Sequence, residues 1–325
     1  MSYTVGSLFA GIGGICLGFK QANYKIQWAN EIDKKACETY AFNFPDHRLY
    51  CEDIHNLTDP KNLGKVDIIT SGFPCQAFSV AGYRKGFNDH RGNLFFETVR
   101  FIKEIQPQAF LLENVKNLKG HDKGNTFKVI EQVITENLGY SFIPFVLNAK
   151  DYGNIPQTRE RIYMIGFKGE AKSQKICTNN FRELEKIPLT KGILDVINKD
   201  KQNEKYYYHK DHQYYPKLKK EMKSVSTVYQ WRRVYVRENK SNLCPTLTAN
   251  MGTGGHNVPI IKDQYGIRKL TPAECTAFQG FPENFQFPKD MANSHCYKQA
   301  GNSVVVPVIK RIAEEISRVL DIKNK

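Results

Sequence analysis

The 325 residues include eight cysteines, at 16, 37, 51, 75, 177, 244, 275 and 296, with no CxxC pair and no His/Cys cluster at zinc spacing. No metal site and no disulfide framework is therefore expected, and a reducing cytoplasm is the compartment that fits. No run of 18 apolar residues occurs. Met1 to Gly6 lead straight into an apolar strand-like segment without a basic n-region, so neither a membrane-spanning nor an exported protein is expected. Internal repeats and long low-complexity tracts are missing too. Acidic residues are in deficit: 33 Asp/Glu face 47 Lys/Arg, a net charge of +14 and a pI near 9.3. Such a balance suits a polyanionic partner, although a surface that is basic only for solubility would give the same total.

What is present is enough to fold. The apolar fraction is 41% and the aromatic fraction 12%, which excludes wholesale disorder. From Tyr3 to about Phe167, short apolar runs (5–9, 25–30, 66–73, 109–115, 141–149, 161–167) alternate with helical spacing, notably over 93–105 and 125–138. That alternation predicts βαβ units and a mostly parallel sheet. The pattern stops near Lys168. Residues 182–240 carry 15 Lys/Arg against 8 Asp/Glu and seven tyrosines, so half of the excess charge sits in one stretch. Basic side chains among aromatics suit phosphates and bases, and a solvated face remains the plainer alternative. A final helix is predicted from Val305 to about Leu320.

Several motifs fall where such a sheet exposes its strand ends. Phe9-Ala10-Gly11-Ile12-Gly13-Gly14 follows the first strand and opens an apolar helix, a turn that lets a ligand approach the backbone. It departs from GxGxxG, because Cys16 stands three after Gly13, which counts against a nicotinamide dinucleotide. Glu31 ends the second strand like an acid that binds ribose hydroxyls, and Asp53 follows a third short apolar segment. Taken alone, Glu31 also reads as a helix-start acid favoured by the dipole. Pro74-Cys75-Gln76 lies just past the strand Asp67 to Thr70, in a loop, where a thiol is more reactive than a core cysteine. Leu112-Glu113-Asn114-Val115 brings an acid and an amide to the same edge, and burial there would raise the Glu113 pKa. Arg159 and Arg161 alternate on entering a strand, so they share a face and could meet an anion, a base edge or Glu113 itself.

The ordered set FAGIGG (9–14), NEID (30–33), GFPCQAFS (72–79), RGNLFFE (91–97), ENV (113–115), QTRERIYMIGF (157–167), RKLTPAECTAFQGFP (268–282) and QAGNSVV (299–305) resembles the DNA cytosine-C5 methyltransferases of bacterial restriction-modification type. The resemblance spans almost the whole chain. It implies an α/β fold: a Rossmann-like S-adenosylmethionine-dependent methyltransferase domain with a mostly parallel sheet, and a smaller inserted target-recognition domain. The first would comprise 1–178 completed by 294–325, the second, with a hinge, 179–293. The cofactor would lie against Phe9, Ala10, Gly11, Ile12, Gly13, Gly14, Glu31, Ile32, Asp53, Ile54, Pro74, Leu94, Asn302 and Val304, with Glu31 on the ribose and Asp53 on the adenine amine. Ile32 replaces a frequent aromatic and would pack on adenine rather than stack.

The resemblance also implies the chemistry. Cys75 attacks C6 of a cytosine rotated out of duplex DNA, Glu113 serves N3 and Arg161 steadies O2, with Arg159 beside them in the catalytic set. The products are 5-methylcytosine and S-adenosylhomocysteine, with no metal. DNA contacts are expected from Gln76, Ser79, Gln230, Arg232, Arg233, Arg237 and Thr248, with 79–91 as a lid and either Gln230 to Arg233 or Ser79 to Tyr83 filling the vacated stack. The Gln230 to Tyr235 stretch and Thr246-Leu247-Thr248 resemble enzymes that read short GC-rich palindromes. The expected setting is a bacterial or phage-encoded, cytoplasmic, DNA-associated monomer that acts on one strand at a time, paired functionally with a restriction endonuclease. A tRNA cytosine methyltransferase would share nearly every motif. A dehydrogenase leaves Cys75 and Glu113 without purpose, a dead DNA reader predicts decay of sites that are intact, and a purely structural protein explains none of it.

Overall fold

The computed structural model describes residues 2–74, 94–253 and 257–324. Seven strands, β1 (Thr4–Leu8), β2 (Lys25–Glu31), β3 (Arg48–Cys51), β4 (Ile68–Ser71), β5 (Ala109–Val115), β6 (Ile143–Asn148) and β7 (Glu160–Phe167), form one sheet in the order β3-β2-β1-β4-β5-β7-β6. The first five are parallel to one another, joined by crossovers that carry helices such as Gly14–Gln21, Lys34–Asn43 and Leu94–Ile105. β7 runs antiparallel to both β5 and β6. Its direction follows from the short link between β6 and β7, which holds only the one-turn helix Ala149–Tyr152 and is too brief to return the chain for a parallel pairing.

Strand period divides the core into two layers. Ile68, Leu111 and Ile165 face the cluster that includes the terminal helix Val306–Lys323, whereas Ile69, Phe110, Leu112 and Met164 face the cluster built on Leu94–Ile105 and Asn125–Gln132. Sheets covered on both faces give apolar runs without strict alternation, which is why β4, β5 and β7 stand out in the sequence. β3 shows only as the short apolar segment ahead of Asp53, because it is a half-exposed edge strand. The helix Ala171–Asn180 likewise follows Lys168 without an apolar stripe to announce it. The C-terminal helix belongs to the first sheet: the Tyr24 hydroxyl donates to Ala313 O (2.9 Å) and that of Tyr3 to Asp321 Oδ1 (2.8 Å).

One expectation needs correcting. Cys37 and Cys51 are joined in a disulfide, with their Cα atoms 6.0 Å apart. Their spacing carries no signature; the helix Lys34–Asn43 and the turn into β3 bring them together.

A second, antiparallel sheet in the order β11-β10-β8-β9 comprises β8 (Tyr229–Arg232), β9 (Tyr235–Glu238), β10 (Ile260–Lys262) and β11 (Ile267–Lys269). Separate apolar clusters support it. Fully buried Arg268 holds it to the helix Pro272–Ala277 through Glu274 (2.8 Å) and to its own turn through Asp263 (2.7 Å). Among the described residues no helix is long and apolar enough to cross a membrane.

Candidate active site

A cavity of about 620 Å³ opens at the carboxyl ends of β1, β2, β4 and β5, where the strand order reverses about β1. Its walls include Phe9, Ala10, Gly11, Ile12, Gly14, Glu31, Ile32, Asp53, Ile54, Pro74, Leu94, Asn302 and Val304. Sequence positions near 10, 30, 50, 75 and 300 thus meet in one place. Gly13 supports the turn from behind: its φ of 87° is left-handed, and a Cβ there would come 2.4 Å from the Phe44 ring. Gly11 also has positive φ, 57°, but a Cβ there meets nothing within 4 Å, so the open side of the turn faces space a ligand can use.

Backbone amides fix the acids on this wall. Glu31 Oε2 accepts from Gly11 N (2.8 Å) and Oε1 from Ile32 N and Asp33 N (2.9 Å each). That leaves acceptor capacity on a carboxylate, which has about four lone-pair sites. Asp53 caps a short 3₁₀ turn through His55 N (3.0 Å) and takes His55 Nδ1 at 2.6 Å; these hydrogen bonds hold its carboxyl below the usual range. Ile32 is exposed at 59%, so an apolar face is presented to the cavity mouth.

Because β7 is antiparallel to β5, its first residues lie at the edge where β5 ends, and Val115 pairs with Arg161 in register. Arg161 Nε stands 3.2 Å from Glu113 Oε1, with the two side chains only 14% and 12% exposed. Burial pushes the Glu113 carboxyl up, against the opposing pull of Arg161 and then Arg159. Asn114 donates from Nδ2 to Phe73 O (2.9 Å) and so anchors the strand end that leads through Pro74 to Cys75. Cys75, Gln76, Ser79 and the whole 79–91 segment lie outside the described residues. The free thiols among the described residues, Cys16, Cys177, Cys244, Cys275 and Cys296, are all buried, and burial raises the pKa of each. That shift is opposite to what a nucleophile requires.

Arg159 also borders the cavity; its Nη groups donate elsewhere, and its buried Nε has no hydrogen-bond partner among the described residues. Nη1 donates to Leu247 O (2.7 Å), and Nη2 to Gly301 O (3.3 Å) and to Ser303 O. The expected catalytic pair of arginines is therefore split in its partners: one faces a carboxylate, the other backbone carbonyls. Thr248 lines the cavity beside Ala249. Gln230, Arg232, Arg233 and Arg237 sit on the β8–β9 hairpin, where Arg232 Nη2 donates to Gln230 Oε1 (3.1 Å) and the three arginines are exposed. Val234 and Tyr235 at the same tip are 74% and 54% exposed, and Trp231 stacks on Tyr214 at 4.1 Å behind them.

Sequence reasoning overlooked several contributors. Asn30 donates to Tyr50 O (3.1 Å) and Glu52 O (2.8 Å), which holds β3 in place for Asp53. Lys298 pairs with Asp33 at 2.8 Å. Gln157 donates to Phe278 O (2.6 Å) and accepts from Leu247 N (3.1 Å), joining the two sheets' supports. Gln157 and Asn30 lie inside quoted motifs, and their side-chain amides next to charged neighbours were the available signal.

The family described as C-5 cytosine-specific DNA methylase matches residues 3–318. The chain is 56% identical over 316 residues to the Type II methyltransferase M.Bsp6I of Bacillus sp. (strain RFL6), covering 96% of this chain and 98% of that one. It is 41% identical over 324 residues to the Type II methyltransferase M1.ScrFI of Lactococcus lactis subsp. cremoris, covering 99% and 80%. Its fold is similar to the crystal structure of a Spodoptera frugiperda DNMT2 mutant, with a TM-score of 0.70, 21% identity and full coverage of both chains.

Proposed function

The chain belongs to the C-5 cytosine-specific DNA methylase family and is a DNA (cytosine-5)-methyltransferase of restriction-modification type, and on that premise we propose how its residues divide the work. The cavity takes S-adenosylmethionine, with Glu31 on the ribose, Asp53 on the adenine amine, Ile32 packed on the purine, and the Gly11 side of the turn and the 302–304 segment closing around the rest. The amide-fixed Glu31 carboxylate and the unfilled space at Gly11 support that fit. Bound there, the cofactor supplies an electrophilic methyl group.

The chain's own residues make the cytosine reactive. C5 is a poor nucleophile until the ring's aromaticity is interrupted, and a thiolate adding to C6 does that; Cys75 is the residue for it. Glu113, whose carboxyl pKa burial pushes up, donates to N3 and offsets the developing negative charge there. Arg161 orients that carboxyl and reaches the adjacent O2. C5 then takes the methyl group, leaving S-adenosylhomocysteine; loss of the C5 proton to solvent expels the Cys75 thiolate, and return of the N3 proton to Glu113 restores the neutral ring. A stacked base cannot enter such a cavity, so the target is rotated out of the duplex, at a cost of about a few kcal/mol. The exposed β8–β9 arginines and Thr248 meet the DNA, within a recognition unit of about 179–293 inserted into the catalytic unit 1–178 and 294–325. The enzyme works as a cytoplasmic monomer on one strand at a time, beside a cognate endonuclease, at a short GC-rich palindrome.

The single observation that carries this reading is the buried Glu113–Arg161 pair on the same cavity wall as the amide-fixed Glu31. The test is incubation of plasmid DNA or tRNA with S-adenosylmethionine carrying a tritiated methyl group, followed by digestion to nucleosides. Label in 5-methylcytosine from the plasmid is the expected result. Label only from tRNA, or none with tight NAD binding instead, would overturn it.

A further inference from the structure

Arg159 does something that neither the chemistry of cytosine nor the cofactor requires. Its side chain is 3% exposed, and no carboxylate is among its hydrogen-bond partners; the guanidinium is held by three backbone carbonyls. Burial, and then repulsion from Arg161, pulls its pKa down to about 9. A buried cation so held is costly unless every carbonyl stays in place, because each broken charge-assisted bond leaves charge uncompensated.

The three carbonyls come from two different parts of the chain. Leu247 directly precedes Thr248, the segment assigned above to DNA. Gly301 and Ser303 flank Asn302 and lead into Val304, the segment assigned to the cofactor. These two segments touch backbone to backbone: a Cβ on Gly301 would fall 2.2 Å from Thr248 C and O and 2.6 Å from Ala249 N. Thr248 and Asn302 border one cavity. Two residues further along, Arg161 engages Glu113. A shift of the Thr248 segment when DNA arrives therefore cannot leave the Gly301–Ser303 carbonyls unaffected while Arg159 holds both.

From this geometry we infer that Arg159 is a positioning residue that couples DNA occupancy to cofactor affinity, by pinning the DNA-side and cofactor-side segments to one planar fork. The inference rests on the functional reading above. Coupling between two sites is reciprocal, so DNA should tighten the cofactor product by the same factor as the product tightens DNA, within the usual range of about 5- to 150-fold.

The test is calorimetric titration of S-adenosylhomocysteine into the full chain, alone and saturated with a duplex carrying one site mapped from methylated plasmid. Arg159→Lys keeps a long basic side chain but not a fork that can reach three carbonyls. Its affinities for the product alone and for the duplex alone should stay within about threefold of the parent's, while the coupling factor falls to less than about one third of the parent's. A merely structural role would instead lower the melting temperature and both separate affinities and leave the coupling intact. Gly301→Ala, which forces the same two segments apart, should lose coupling in the same way, so a Lys variant that fails to fold does not end the test. Full coupling in either folded variant, or no coupling in a parent that methylates DNA, would overturn the inference. A parent that binds no product and methylates nothing would overturn the functional reading instead.

Discussion

The charged end of β5 and β7 and the charged tip of the β8–β9 hairpin use the same side chains in opposite ways. At the first, Arg161 and Glu113 are nearly enclosed and hold each other at 3.2 Å. At the second, Arg232, Arg233 and Arg237 stand exposed on a small sheet braced from behind by Trp231 on Tyr214. Burial fixes a donor and its orientation before the substrate arrives, which is what stabilising a developing charge demands. Exposure keeps arginine solvated until phosphate or a base edge replaces water and counterions. The first region should therefore govern what happens to a bound cytosine, and the second which DNA is bound and how tightly.

Glu113→Gln gives the sharpest separation. Its single-turnover rate at saturating DNA should drop by about 10²- to 10⁴-fold, the range for a positioned acid, with DNA affinity little changed. Because burial raises the Glu113 pKa, the parent carboxyl keeps its proton to higher pH than an ordinary glutamate. Its contribution is thus present at low pH and fades as pH rises through the raised value. The parent's rate profile should carry that descending limb, and the Gln variant, which does not titrate, should lack it. An equal loss of DNA affinity in this variant would break the comparison.

Next in size is Arg232→Ala/Arg233→Ala/Arg237→Ala. Affinity for duplex DNA at physiological salt should fall by about a hundredfold or more, since a base-reading arginine is worth ~1–3 kcal/mol. The slope of log affinity against log salt should shrink by up to about 3, roughly one unit for each phosphate that an arginine no longer neutralises. The single-turnover rate of whatever DNA remains bound should hold. Filter binding across a salt series, read against rapid-quench rates, separates the two effects, and an unchanged slope would contradict the assignment.

Glu31→Ala should act on neither quantity directly. Losing a charged acceptor for a ribose hydroxyl costs ~1.5–3 kcal/mol, so S-adenosylmethionine should bind about 10- to 100-fold more weakly by calorimetry. DNA affinity without cofactor should be preserved; its loss would point to collapse of the Gly11 turn that Glu31 also supports.

How much of this was legible depends on what each residue touches. Strands β4, β5 and β7 are buried on both faces and announce themselves as apolar runs, whereas half-exposed β3 leaves only the short apolar segment ahead of Asp53. The reversed direction of β7 leaves no trace in its periodicity, yet that reversal brings Arg161 to Glu113. Glu31 and Glu113 were readable because a carboxyl at the end of a buried strand is an unusual choice there. The work of Arg159 was not, because its partners are carbonyls 88, 142 and 144 residues away, which every amino acid carries. The Cys37–Cys51 bond was hidden for a similar reason: the pairing depends on a helix returning the chain, not on the spacing of the cysteines.

The central claim is that this cavity serves a covalent attack by Cys75 on a displaced cytosine, and duplex DNA with 5-fluorocytosine at the target tests it most directly. Fluorine cannot leave as a cation, so release of the thiol after methyl transfer is blocked. With S-adenosylmethionine present, the account predicts a protein–DNA adduct that survives denaturation, carries the methyl group, and maps by mass spectrometry to the peptide containing Pro74-Cys75-Gln76. Cys75→Ser should form none while still binding the duplex, since a serine hydroxyl is far less ionised than a thiol near neutral pH. A bond to any other cysteine, an adduct in the Ser variant, or no adduct from a parent that methylates ordinary DNA would contradict the account.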